Sequence, residues 1–74
     1  MNIVDQIVDR QHVSMPVHRV LRAVIDRLRG GKETWCALDR ETKRGILAEV
    51  RERHNHNKRI YLYVMTGSPV DHQA

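Results

Sequence analysis

Residues 59–67, RIYLYVMTG, decide the fold class of this chain. Read with a period of two, Ile60, Leu62 and Val64 alternate with their neighbours like one face of a β-strand. Read with a period of 3.6, Ile60, Tyr61, Val64 and Met65 share one face of a helix. The alternation leaves a strand open, and the rest of the chain has to arbitrate. No second stretch offers a convincing partner strand, and a lone strand leaves its backbone N–H and C=O groups unsatisfied. The segment is therefore expected as a short final helix ending at Gly67. The chain is then all-α: a small single-domain bundle of about four short helices over residues 1–67, with residues 68–74 as a disordered, flexible tail.

Upstream, Ile46, Leu47 and Val50 form the apolar side of a helix over 40–55, with Asp39 as its N-cap. The run HNHN, residues 54–57, is expected to break it, since asparagine favours caps and turns. His54 falls on the apolar edge of this helix and is expected to help close it. Val17, Val20, Leu21, Val24, Ile25 and Leu28 make the clearest amphipathic pattern in the chain. Ser14 as N-cap and Pro16 in the first turn start that helix, and Gly30 and Gly31 end it in left-handed conformations. Thr34 is expected to cap a short turn, WCAL, that points Trp35 and Leu38 inward. At the N-terminus Ile3, Val4, Ile7 and Val8 share a helical face that Asn2 can cap, although the β-branched content also admits a strand.

Composition narrows the function classes. Seventy-four residues allow one domain, of modest core. Cys36 is the only cysteine, so no intramolecular disulfide forms, and its apolar neighbours in TWCAL suggest a small buried hydrophobe. The N-terminal stretch is interrupted by Asp5 and Asp9, unlike a signal peptide, and no segment is long and apolar enough to span a bilayer. A soluble, cytoplasmic protein with no membrane partner is the expectation. The formal net charge of +4 suits an acidic partner, whether nucleic acid or protein.

No chemistry-bearing motif is present. A Gly-rich phosphate loop, an H-E-x-x-H pair and a nucleophile elbow are all missing, and a deep water-excluding cleft is hard to build at this size. The five histidines lack the paired short-spaced ligands of a structural zinc site. No catalysis, cofactor or metal is expected. A helix-turn-helix also fits poorly, because Gly30 to Asp39 is longer than that motif's tight turn and the second helix has no run of base-reading side chains.

Charge sorting is the stronger signal. At about 100° per residue, Arg40, Arg44 and Arg51 fall within roughly 40° of one another, with Lys43 about 60° to one side. Glu41, Glu49 and Glu52 lie on the far side, and Glu49–Arg53 is the one well-oriented i,i+4 pair. Lys58 and Arg59 extend the basic edge. The plain alternative is a solvated face whose arginines lie over the core. The N-terminal quartet Ile3, Val4, Ile7 and Val8 has two readings as well: it packs on the 17–28 helix, or it is left as an exposed patch for a partner.

The run from His12 to Gly67, HVSMPVHRVLRAVIDRLRGGKETWCALDRETKRGILAEVRERHNHNKRIYLYVMTG, resembles a family of small bacteriophage proteins that bind the host RNA polymerase. The likeness extends over residues 1–67 and to overall length and basic character. The resemblance implies binding to the N-terminal part of the β′ subunit near the RNA exit channel. It further implies inhibition of σ-dependent initiation by helping displace σ, and antitermination with NusA as a co-factor protein. It carries no residue-level contacts. The contact residues expected here therefore come from the surface: Ile3, Val4, Ile7 and Val8 toward the polymerase, and Arg40, Lys43, Arg44, Arg51, Lys58 and Arg59 toward acidic protein, nascent RNA or DNA. The alternative class is a small basic nucleic-acid-binding protein that acts through nonspecific phosphate contacts.

Overall fold

The computed structural model describes residues 2–67, so the expected tail at 68–74 lies outside the described residues. Four helices follow in order: α1 Ile3–Asp9, α2 Val17–Arg27, α3 Gly31–Ala37 and α4 Arg40–Thr66, and no strand occurs among the described residues. The all-α expectation holds. The two helices expected at 40–55 and 59–65 are instead one unbroken 27-residue helix. HNHN does not interrupt it because two of its four side chains are drawn into the bundle. His54 Nε2–H donates to the Met15 carbonyl at 2.8 Å, and Asn57 Nδ2 donates to Asp9 Oδ1 at 2.6 Å. The weak helix propensity of asparagine yields to these tertiary bonds.

The helix ends form as local chemistry dictates. Asn2 Oδ1 accepts the Asp5 N–H at 2.8 Å, and Asp39 Oδ1 accepts the Thr42 N–H at 2.9 Å, so both expected caps are in place. Gly67, at φ +70°, closes α4 with its N–H on the Tyr63 carbonyl. Ser14 does not cap α2. Pro16 occupies that position, while the Ser14 N–H donates to His12 Nδ1 at 3.1 Å and tightens the α1–α2 loop.

Gly30 and Gly31 adopt φ +88° and +60° and turn the chain from α2 into α3. Thr34, expected as a cap, lies inside α3 and donates its hydroxyl to the Arg29 carbonyl. A Cβ on Gly30 would collide with that hydroxyl. Gly30→Ala should therefore lower stability by about 1–3 kcal/mol, the usual cost of a left-handed non-glycine residue. Gly45→Ala should raise it by about 0.5–1 kcal/mol, since Gly45 is an exposed mid-helix glycine with open space around it. Thermal melts of the two variants check the opposite signs.

The buried core is Ile7 and Val8 from α1, Val20 and Val24 from α2, and Val50 and His54 from α4. Val4, Met15, Val17, Leu21, Ala23 and Ile46 pack around it. Of the two readings of the N-terminal quartet, the packed one is correct for Ile7 and Val8. Those two side chains are interior and are not available as a contact surface. Val4 is half-buried, and Ile3 alone is mostly exposed, at 62%.

A polar clasp holds α1 along α4. Arg53 donates Nε to Asp9 Oδ1 and Nη2 to Asp9 Oδ2, both at 2.9 Å, and Asn2 Nδ2 donates to Glu49 Oε2. Arg53 thus spends its charge on Asp9 and not on the expected i,i+4 partner Glu49. Asn2 meets Glu49 while Asp9 meets Arg53 and Asn57, so α1 runs parallel to α4. Met15 meets His54 while the far end of α2 approaches α3, so α2 runs antiparallel to it.

The forked bond from Arg53, aided by the amide of Asn57, holds the Asp9 carboxyl below its ordinary value of 3.8. The folded form then binds its proton less tightly than the unfolded chain. Stability from the clasp is complete above the ordinary aspartate range and is lost as pH falls through the depressed value. The Thr42 bonds depress Asp39 in the same direction. Asp9→Asn should lower the melting temperature at neutral pH and flatten its decline on acidification. Melts recorded from pH about 6 down to about 2 measure both effects.

Candidate partner-binding surface

Fully wound, α4 is far longer than the other three helices. The principal extents are 43 × 22 × 22 Å. Past Asn57, the last residue tied to α1, α4 continues to Thr66 for roughly two and a half turns, about 13 Å. The only ring contact on this overhang among the described residues is Tyr61 against His12, edge to face at 5.9 Å between centroids.

The overhang carries Ile60, Tyr61, Leu62, Tyr63, Val64 and Met65, all exposed, with Val64 at 72% and Met65 at 65%. Six consecutive apolar residues at about 100° intervals cover the whole circumference of a helix. A helix that is apolar all round is normally surrounded, whereas among the described residues this one has the α1–α2 loop on one side only. There, Ile60, Tyr61 and Val64 face Gln11 and Val13 across a groove of about 370 Å³. The candidate contact residues named from the sequence omit this tip. The signal was present in the unbroken run IYLYVM, which one neighbouring helix cannot cover.

The basic residues separate on the continuous helix. Arg40, Arg44, Arg51 and Lys58 are all exposed and fall within roughly 40° of one another, a stripe about 27 Å long that leads toward the tip. None of the four ion-pairs with a carboxylate among the described residues; Arg53–Asp9 is the only such pair there. Lys43 does not join them. It is half-buried, and its Nζ lies 5.9 Å from the centroid of the Trp35 ring. Arg59 points to another sector, where it lines a shallow depression with Asp5, Glu49, Glu52, Arg53 and His56.

Other expectations divide similarly. His54 is buried to 2% exposure, as its place on the apolar edge implied, and its Nδ1 has no hydrogen-bond partner. Cys36 is exposed on α3 and is not the buried hydrophobe that its neighbours suggested. Trp35 and Leu38 are half-buried, and α3 contributes no buried residue. No cluster of three metal-ligating side chains occurs among the described residues, and no helix there is long and apolar enough to cross a membrane.

The tip and the stripe give one elongated surface: an apolar end with basic flanks. No acidic residue lies between Arg53 and Gly67, whereas Lys58 and Arg59 sit at the base of the tip. The complementary surface is an apolar groove with an acidic rim, the helix-in-groove mode of recognition. Comparison with protein-family models, with curated proteins and with solved structures found no match to this chain.

Proposed function

We propose that this protein is a non-catalytic regulator that acts by occupying a surface on a larger protein, and that the partner is bacterial RNA polymerase. The observation that carries the docking part is the exposed, all-round apolar tip at Ile60–Met65. The choice of partner rests on the likeness of residues 1–67 to phage-encoded polymerase-binding proteins. In this reading the protein works in the cytoplasm of an infected host cell, bound at the N-terminal region of β′ near the RNA exit channel. There it hinders σ-dependent initiation and favours antitermination, with NusA as a further partner.

Energetics permit the docking. A micromolar complex needs about 8 kcal/mol of net binding free energy. Each large apolar side chain taken fully out of water contributes about 1.5–3 kcal/mol, so three or four tip residues reach that scale before ordering costs. The helix is already formed, which keeps those costs low. The basic stripe speeds encounter with an acidic target and makes the rate sensitive to salt.

A second reading, nonspecific phosphate contact, is favoured by the alignment of Arg40, Arg44, Arg51 and Lys58. The two separate in one experiment. Immobilised protein is offered purified RNA polymerase with nuclease present, at low and moderate salt. Capture that survives nuclease and moderate salt supports docking through the apolar tip. Capture that vanishes under either treatment rejects it in favour of phosphate contact.

A further inference from the structure

The end of the bundle opposite the tip holds the chain's only tryptophan, in a setting the docking surface does not use. The buried core and the side chains packed on it come from α1, the α1–α2 loop, α2 and α4; Trp35 is not among them. Trp35 is half-exposed. It lines a pocket of about 310 Å³ together with Arg22, Ile25, Asp26 and Lys32. That volume is near the lower limit for small-molecule pockets and suits a single flat ring system. Lys43 Nζ sits 5.9 Å from the indole centroid, so the ring is already polarised by a cation. The pocket therefore offers an indole, an aliphatic side chain, two exposed cations and one exposed carboxylate.

We propose that this pocket is a binding site for single-stranded nucleic acid, in which one unstacked base lies against Trp35 and Ile25 while the flanking phosphates meet Arg22 and Lys32. Aromatic side chains beside cations are the general means of holding single strands without sequence readout, because every base has a π-face. A duplex is a poor occupant, since its bases are already stacked and paired. Asp26, on the same lining, repels phosphate, while Arg22 and Lys32 attract it. The site goes beyond the docking reading and is independent of it. Its residues belong to α2 and α3, far along the molecule from Ile60–Met65.

The sole tryptophan makes the test direct. Titrating the full chain with a ten-nucleotide oligouridylate, and separately with oligothymidylate, at low salt should quench Trp35 fluorescence saturably. Affinity should fall with added salt, by a slope of about 0.7 per phosphate contact in a log–log plot. A labelled oligonucleotide followed by anisotropy reads the variants. Trp35→Leu should weaken binding by about 10-fold or more, as loss of a base–aromatic stack does. The double variant Arg22→Gln/Lys32→Gln, both positions exposed, should weaken it comparably without altering the circular dichroism. Asp26→Asn should tighten it. Quenching by the ribo-oligomer, the deoxy-oligomer or both supports the site, and a preference for one reports whether the 2′-hydroxyl is touched.

Two results overturn the proposal. One is the absence of quenching by either oligomer at low salt. The other is binding that survives both the Trp35 and the Arg22/Lys32 changes and disappears only when Arg40, Arg44 and Arg51 are neutralised, which assigns it to the stripe alone. Substitutions at Val64 and Met65 should leave oligonucleotide binding unchanged, so failure of this site and failure of the docking surface are scored separately.

Discussion

His54→Ala should destabilise the bundle by about 3 kcal/mol, combining the cavity cost of a buried side chain with the loss of a partly buried hydrogen bond to the Met15 carbonyl. The imidazole is the largest fully buried side chain, and its Nε2–H is the bond received by the Met15 carbonyl at the mouth of the α1–α2 loop. Removing it opens a void beside Val50 and releases the loop from α4. A chain of this size has a total stability of only about 4–11 kcal/mol, so the variant should melt roughly 12–24 °C lower. His54→Gln, which keeps a donor of similar reach, should fall between the two. His56→Ala and Asn55→Ala are exposed controls on the same turn and should change stability by less than about 0.5 kcal/mol. A melt of His54→Ala indistinguishable from the parent would mean that the ring is not the keystone its burial implies.

Val64→Asp/Met65→Asp should leave the fold intact and reduce polymerase capture by about 100-fold or more. Both side chains are largely exposed, so the folded state gives up little packing. The added acids lie in the last turn, where the helix dipole disfavours them by only about 0.3–1 kcal/mol each. In a complex, the same positions lose about 1.5–3 kcal/mol of apolar burial apiece and place carboxylates against an acidic rim. A surface competition assay against the single-residue control Ile3→Asp distinguishes the tip from the N-terminal face. Ile3 is the one member of the N-terminal quartet still mostly exposed. Full capture by the tip variant together with loss in the Ile3 variant would return the contact to α1 and reject the tip.

Much of the fold was legible because its signals are local. The caps at Asn2 and Asp39 depend on a side-chain oxygen and an N–H three residues away. The left-handed glycines at 30, 31 and 67 follow from the missing Cβ, and α2 from a repeat that any single helix displays. The placement of His54 on the apolar edge was equally a matter of its own helix. The candidate site was less legible. Lys43 looked like a member of the basic stripe until Trp35, eight positions earlier and on another helix, took it. Ile7 and Val8 were equally good as core or as surface on the wheel, and only the approach of α2 and α4 turned them inward.

The helix of α4 shows where local chemistry stops being sufficient. Residue by residue, HNHN is a plausible break and RIYLYVMTG a plausible strand, since backbone preferences there differ by tenths of a kcal/mol. The amino-acid order settled that an apolar segment follows a basic one, and that no strand stood ready to pair with it. The bonds from His54 to Met15 and from Asn57 to Asp9 join residues 39 and 48 positions apart, and each outweighs those small preferences. They carry the helix through the polar run, and thereby take IYLYVM past its last bond to α1, with only the α1–α2 loop beside it among the described residues. Whether an apolar run is core or surface depends on what reaches it, and that is a property of the assembled chain.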